Sequence, residues 1–146
     1  MTDPRLAIRP PEWIKEMNEQ LARDGVPLDV LTVPGRSSGT PRSTPLTVAD
    51  LGGRRYVLGG FPAADWIRNV RAAGAGTLAT HDGKVEQVRL VEVDGAEART
   101  VLRAWPDVTP DGAGMMRDAG VVTDAMPDAM AEAVGICPVF RVEGTA

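Results

Sequence analysis

The chain has 146 residues, enough for a single domain with its own hydrophobic core and too few for two. A formal net charge of −4 argues against a nucleic-acid partner, and one cysteine (Cys137) with one histidine (His81) leaves neither an internal disulfide nor a Cys/His set for a metal. No apolar run nears the roughly 20 residues that span a bilayer, and residues 1–11 lack the apolar stretch of a signal peptide, so a cytoplasmic protein is expected.

Proline near the start, Trp13, Met17 and Leu21 at helical spacing, and Asp24-Gly25 as a stop predict a helix over 11–23 whose apolar stripe packs on the domain. A short apolar strand over 30–33 is cut off by Pro34-Gly35. After a polar loop, residues 42–49 alternate as one further strand, Asp50 to Gly53 form a turn, and 55–60 form a third strand. Asp65 is expected to cap a helix over 66–73 that Gly74 closes. Strands over 76–80 and 84–93 flank Asp82-Gly83, a strong hairpin signal. Asp94 is placed as the cap of a helix ending near Trp105. The prolines at 106, 110 and 127 break the following segment into short helices, and 138–142 read as the last strand. Five or six mostly antiparallel strands with helices at the start, middle and end make an α+β domain whose sheet could close into a barrel, covering residues 1–146 as one unit.

Charge is unevenly spread. Between Gly35 and Arg71 stand Arg36, Arg42, Arg54, Arg55, Arg68 and Arg71 against Asp50 and Asp65, whereas the stretch from Asp107 to Glu132 is acidic. A basic middle in an acidic protein suggests a local anion site, or else ordinary solvated arginines. Within it, Gly35-Arg36-Ser37-Ser38-Gly39-Thr40-Pro41-Arg42-Ser43-Thr44-Pro45-Leu46 brackets hydroxyls and arginine with glycine. Glycine lets backbone N–H groups converge, serine adds donors, and the arginine fork matches phosphate or carboxylate, so the loop reads as an oxyanion cradle or as a solvated turn. It lacks the ending of a Walker loop and the spacing of a dinucleotide fingerprint. Further on, Trp66 and Asn69 share one face of a helix. They would border a flat heteroaromatic ligand, or serve as core and a local backbone bond.

Together these two elements resemble the deazaflavin-dependent nitroreductase family. The loop matches its GR-x-(S/T)-G-x-PR-x-x-P pattern, and Gly59-Gly60 followed by Trp66, Asn69, Val70, Arg71 and Ala72 matches its strand end and W-x-x-N helix. The resemblance implies a mostly antiparallel split β-barrel with flanking helices, of the FMN-binding split-barrel type. It implies an oxidoreductase that binds coenzyme F420 and passes hydride to a small organic acceptor such as an enone, quinone or nitro compound. By position, Arg36, Ser37, Ser38 and Arg42, with Thr44 and Pro45 alongside, would hold the phosphate and polyglutamyl tail. Gly59, Gly60 and Phe61 would lie against the deazaflavin ring, with Trp66 and Asn69 lining the same pocket. FMN in a related barrel is the alternative cofactor, and a non-catalytic carrier of a flavin-like or lipid ligand the alternative class. A homodimer is compatible with the family.

Two features depart from the family pattern. Many members carry a basic residue where Ser37 stands and another after the third strand, where this chain has Phe61-Pro62. Some use C-terminal tyrosines on the substrate side, whereas Tyr56 is the only tyrosine here, so no catalytic residue is carried over. Met115, Met116 and Met126 stand in that region, as an apolar substrate wall or as ordinary core.

Overall fold

In the computed structural model, which describes residues 2–25 and 28–145, α1 (Glu12–Arg23) precedes the first four strands, β1 (Val30–Pro34), β2 (Pro41–Pro45), β3 (Ala49–Leu51) and β4 (Arg54–Leu58). Helix α2 (Asp65–Ala73) leads into the hairpin of β5 (Ala75–Ala79) and β6 (Val85–Val93). Helices α3 (Gly95–Val108), α4 (Pro110–Asp118) and α5 (Pro127–Ala131) come before the closing strand β7 (Val139–Gly144). The strands form one sheet in the order β2-β1-β5-β6-β7-β4-β3, with every neighbouring pair antiparallel.

The strand expected over 42–49 is in fact two, β2 and β3, which lie at opposite edges of the sheet. Only Leu46, Thr47 and Val48 join them, a link that can span about 14 Å. A sheet whose two edges are held that close must curl, and the result is a split β-barrel with its gap between β2 and β3. Alternation did not reveal the break, because Leu46 and Val48 still turn their side chains towards the interior, where both pack against its core.

Period-two alternation divides the barrel wall between two cores. Val57 of β4 and Phe140 and Val142 of β7 point inward, joining Leu31, Val33, Leu78 and Val88, with Ile67 and Val70 of α2 packed against them. Tyr56, Leu58 and Val139 point outward and are covered by α3, α4 and α5 through Val101, Leu102, Trp105, Met116 and Met130. The fully buried Phe140 contributes roughly 1.5–3 kcal/mol by burial alone. The methionines thus divide: Met116 and Met130 are core, and Met126 is exposed.

Local expectations need four adjustments. The α1 stripe is Ile14, Met17 and Leu21, all half-buried, while Trp13 is exposed. Asp65 and Asp94 make no capping bond, and Asp65 belongs to the first turn of α2. Helix α3 continues through Pro106 to Val108, since Trp105 is buried on the helix-bundle side and Thr109 N–H closes the last turn on the Trp105 carbonyl at 2.9 Å. The strands number seven among the described residues. No helix among those residues is long and apolar enough to cross a membrane.

Strand β5 lies unusually close to β1 at Gly76, where an added Cβ would sit 2.5 Å from the Thr32 carbonyl oxygen and 2.7 Å from Val33 Cγ1. Backbone cannot step aside cheaply, so Gly76→Ala is expected to cost about 1–3 kcal/mol in urea denaturation. An unchanged midpoint would show that the two strands separate freely. A second tether is polar. Asp29 Oδ1, just before β1, accepts from the His81 backbone N–H at 2.6 Å and lies 2.8 Å from His81 Nδ1. The hydrogen bond to Asp29 holds the imidazole above its ordinary pKa of 6.5. Stability from this tether is therefore complete below the unfolded pKa and is lost as pH rises through the folded one. In an NMR titration the His81 pKa should fall towards 6.5 in Asp29→Asn; identical titration curves would show that the ion pair does not form.

Candidate functional site

The hydroxyl-rich loop joins β1 to β2 at the point where Pro34 opposes Pro41. Neither proline has an N–H to extend the ladder, so the chain turns out of the sheet there. Gly35 N–H donates to the Thr40 carbonyl at 2.8 Å, Gly39 N–H donates to the Gly35 carbonyl at 2.9 Å, and Thr40 N–H donates to Ser38 Oγ at 3.1 Å. Gly39 takes φ of 73°, a conformation that a side chain would strain. The closed turn presents Arg36, Ser37 and Ser38 to solvent.

One amide fixes this loop to the rest of the protein. Asn69 of α2 is 5% exposed, the only buried polar residue among those described. Its Oδ1 accepts from the Arg36 backbone N–H at 3.0 Å and from Arg36 Nη1 at 2.9 Å. Asp65, one turn earlier, lies 3.5 Å from Arg36 Nη2 through one carboxylate oxygen and 3.5 Å from Arg9 Nη2 through the other. Asn69 is therefore neither a purely local backbone partner nor an open wall; it sets where Arg36 can be.

A cleft of about 590 Å³ opens between these elements. The loop contributes Gly35, Arg36, Ser37 and Ser38, and β2 contributes Arg42, Ser43 and Thr44. Asp65, Trp66 and Asn69 of α2 and Lys15 of α1 complete it. Trp66 is half-buried, its ring centroid 6.1 Å from that of Phe140 at a 58° tilt, so the barrel core braces the indole from behind. Of the residues expected at the site, Arg36, Ser37, Ser38, Arg42, Thr44, Trp66 and Asn69 are thus brought together.

Pro45, Gly59, Gly60 and Phe61 are outside that lining. A Cβ on Gly59 would lie 2.6 Å from Ile67 Cδ1 and 2.9 Å from Pro138 Cγ, and one on Gly60 would lie 3.1 Å from Met116 Sδ. These glycines let β4 pass close beneath α2 and beside the outer core, against which Phe61 packs. Lys15 and Asp65 are lining residues to which the sequence gave no part in the site, and Gly35 and Ser43 lay inside the loop motif without a role of their own. For Ser43 a signal exists, since its alternation with Arg42 and Thr44 belongs to the same strand; for Lys15 none does, because only the tertiary fold brings α1 to the loop.

Other chemistry lies elsewhere. Tyr56 faces the outer core, its hydroxyl donating to Glu97 Oε2 at 2.7 Å, and burial followed by that carboxylate raises its pKa. It cannot reach the cleft. A second concavity of about 380 Å³ at the β3–β4 turn has Arg55 paired with Glu86 at 2.5 Å and Arg141 paired with Glu97 and Glu143 at 2.9 and 2.8 Å. Its cations are already neutralised within the protein. Cys137 is buried, with its thiol pushed up to about 12 by desolvation.

The chain and its split barrel have counterparts among known proteins. The profile of the F420H(2)-dependent quinone reductase family matches residues 13–117. The chain belongs to this family. Coenzyme F420 is accordingly its cofactor, and its class is that of F420-dependent oxidoreductases. Among solved structures it is similar to an F420-H2 dependent reductase, FDR-A, at 24% identity over 80% of this chain and 94% of that one, with a TM-score of 0.57. A structure described as a domain-swapped dimer is 25% identical over 90% of this chain and 98% of that one, also at 0.57. The heme storage protein HutZ from Vibrio cholerae shares 12% identity over 95% and 92%, at 0.55, a likeness of fold alone. No curated protein matches the chain.

The donor set fits the cofactor of an F420H(2)-dependent quinone reductase, which carries a flat ring and an anionic tail. Arg36, Arg42 and Lys15 face a single lining carboxylate, Asp65, and Ser37, Ser38, Ser43 and Thr44 add hydroxyls. Removing the Asn69 amide would leave the half-buried Arg36 N–H without its acceptor. Asn69→Ala should therefore cost about 1–3 kcal/mol of stability and speed exchange of the Arg36 amide hydrogen. Unaltered exchange at Arg36 would show that the loop holds itself.

Proposed function

We propose that this protein, acting as one domain, reduces a small organic acceptor, a quinone, enone or nitro compound, at the expense of reduced F420. The observation that carries the reading is the single cleft in which Arg36, Arg42 and the loop hydroxyls adjoin Trp66. When bound, the reduced cofactor supplies hydride from C5 of its deazaflavin, and the protein supplies position and electrostatics. Arg42 makes no ion pair among the described residues and would take a phosphate oxygen through its fork, with Ser37, Ser38 and Thr44 donating to the remaining oxygens. Arg36, aimed by Asn69, would bound the anion on the helix side. Trp66 would set one edge of the ring's position, and Pro45, Gly59, Gly60 and Phe61 would approach the ring only from outside the described cleft. A quinone is the acceptor favoured by the family's description. A homodimer is part of the proposal, supported by the domain-swapped neighbour.

Titrating the purified protein separately with F420 and FMN, and following each ligand's fluorescence, tests the reading. F420 should bind and its reduced form should be oxidised by quinones. Arg42→Ala should weaken F420 by about 1.5–3 kcal/mol, the worth of a charge-assisted hydrogen bond. Binding of FMN in place of F420 would overturn the proposal, binding of F420 with no turnover across quinones, enones and nitroaromatics would favour a carrier, and an unchanged affinity in Arg42→Ala would move the anion site elsewhere.

A further inference from the structure

Helix α1 is loosely seated. Its apolar stripe is only half covered, it has no fully buried residue, and Trp13 is 50% exposed. Yet this helix sends one side chain, Lys15, into the lining of the anion cleft. Lys15 is exposed and forms no ion pair among the described residues. The one carboxylate that lines the cleft, Asp65, is shared between Arg9 and Arg36.

The cations of the cleft are therefore unequal. Arg36 is held by Asn69 and Asp65, and only Arg42 and Lys15 are uncommitted. A phosphate followed by a string of carboxylates would meet one open arginine if α1 took no part. Lysine suits the remaining task, because a compact charge on a flexible four-carbon stem can follow an anion whose position varies.

We propose that Lys15 is the third cation of the cleft, and that α1 settles over the bound cofactor through an ion pair between the Lys15 ammonium and an anionic oxygen of the F420 tail. This rests on the F420 reading above. The role assigned is binding and closure; Lys15 is given no part in hydride transfer. The anionic oxygen belongs either to the phosphate or to a glutamyl carboxylate, and the ligands chosen below tell these apart.

Wild type, Lys15→Gln and Lys15→Arg are titrated by fluorescence with full F420, with the form that ends at the phosphate, and with the ribityl deazaflavin that carries neither. Lys15→Gln should weaken full F420 by roughly fivefold at low ionic strength, the scale of an exposed ion pair, and added salt should shrink the difference. Lys15→Arg should restore most of the loss, and the ribityl deazaflavin should not distinguish the variants. A loss shared by the phosphate-ended form places the partner at the phosphate, and a loss confined to full F420 places it at the glutamyl carboxylates. As a readout of closure, F420 should slow tryptic cleavage after Arg23 in wild type and not in Lys15→Gln. Equal affinity of wild type and Lys15→Gln for full F420 would overturn the proposal, as would an equal loss on the ribityl deazaflavin. Wild type that binds none of the three would overturn the F420 reading itself.

Discussion

Three residues decide the shape of this molecule. Leu46, Thr47 and Val48 must carry the chain from β2, at one edge of a seven-stranded sheet, to β3 at the other, and so short a link cannot cross an open sheet. Once the edges are drawn together, the sheet acquires an inside, and the alternating side chains of β4 and β7 acquire two destinations. The inside is filled by Phe140 and its neighbours and stoppered by α2; the outside is a platform for three helices. The cleft follows from the same closure. The loop that leaves β1, the strand β2 beside the gap and the helix α2 that covers the interior all converge on one place.

At that place polar and apolar forces divide the work. The apolar core holds α2 through Ile67 and Val70 and braces Trp66 through Phe140, so the helix is a rigid base. Asn69 then transmits that rigidity to a loop which has no apolar anchor of its own. Its buried oxygen accepts two bonds from one residue, a backbone N–H that locates the chain and a guanidinium that orients the charge. An unpaired amide in that environment would cost more than either bond returns, so the arrangement favours the bonded loop strongly. The weak 3.5 Å contacts of Asp65 add orientation and leave the local potential positive.

Much of this was legible in the residues. Turn chemistry identified Asp82-Gly83 and Gly74, and helical spacing identified α2 and the buried face of α3, because these signals are local. The loop from Gly35 to Thr40 could be recognised as a donor-rich turn since its composition has a direct chemical meaning. What could not be read was long-range. The break at Leu46 to Val48 hides inside a pattern of uninterrupted alternation, and only the sheet order reveals it. The prolines misled at Pro106, where burial of Trp105 outweighs the lost backbone bond. Lys15 lay on a helix whose sequence describes packing and nothing else. The glycine pair after β4 suggested an approach by a ring; the packing role that the structure adds, where a Cβ would meet Ile67, Pro138 or Met116, was not legible in the sequence.

The buried thiol has a bearing on the chemistry proposed for the cleft. Quinones and enones are electrophiles that arylate or alkylate thiolates, and an enzyme that turns them over meets them at every cycle. Here the sole cysteine is enclosed beside the Gly60 carbonyl, and burial pushes its thiol up to about 12, which keeps it in the thiol form at neutral pH. Access and nucleophilicity are both withheld. The fold thus keeps its one thiol from reactive acceptors, a form of self-protection that comes from where β7 begins.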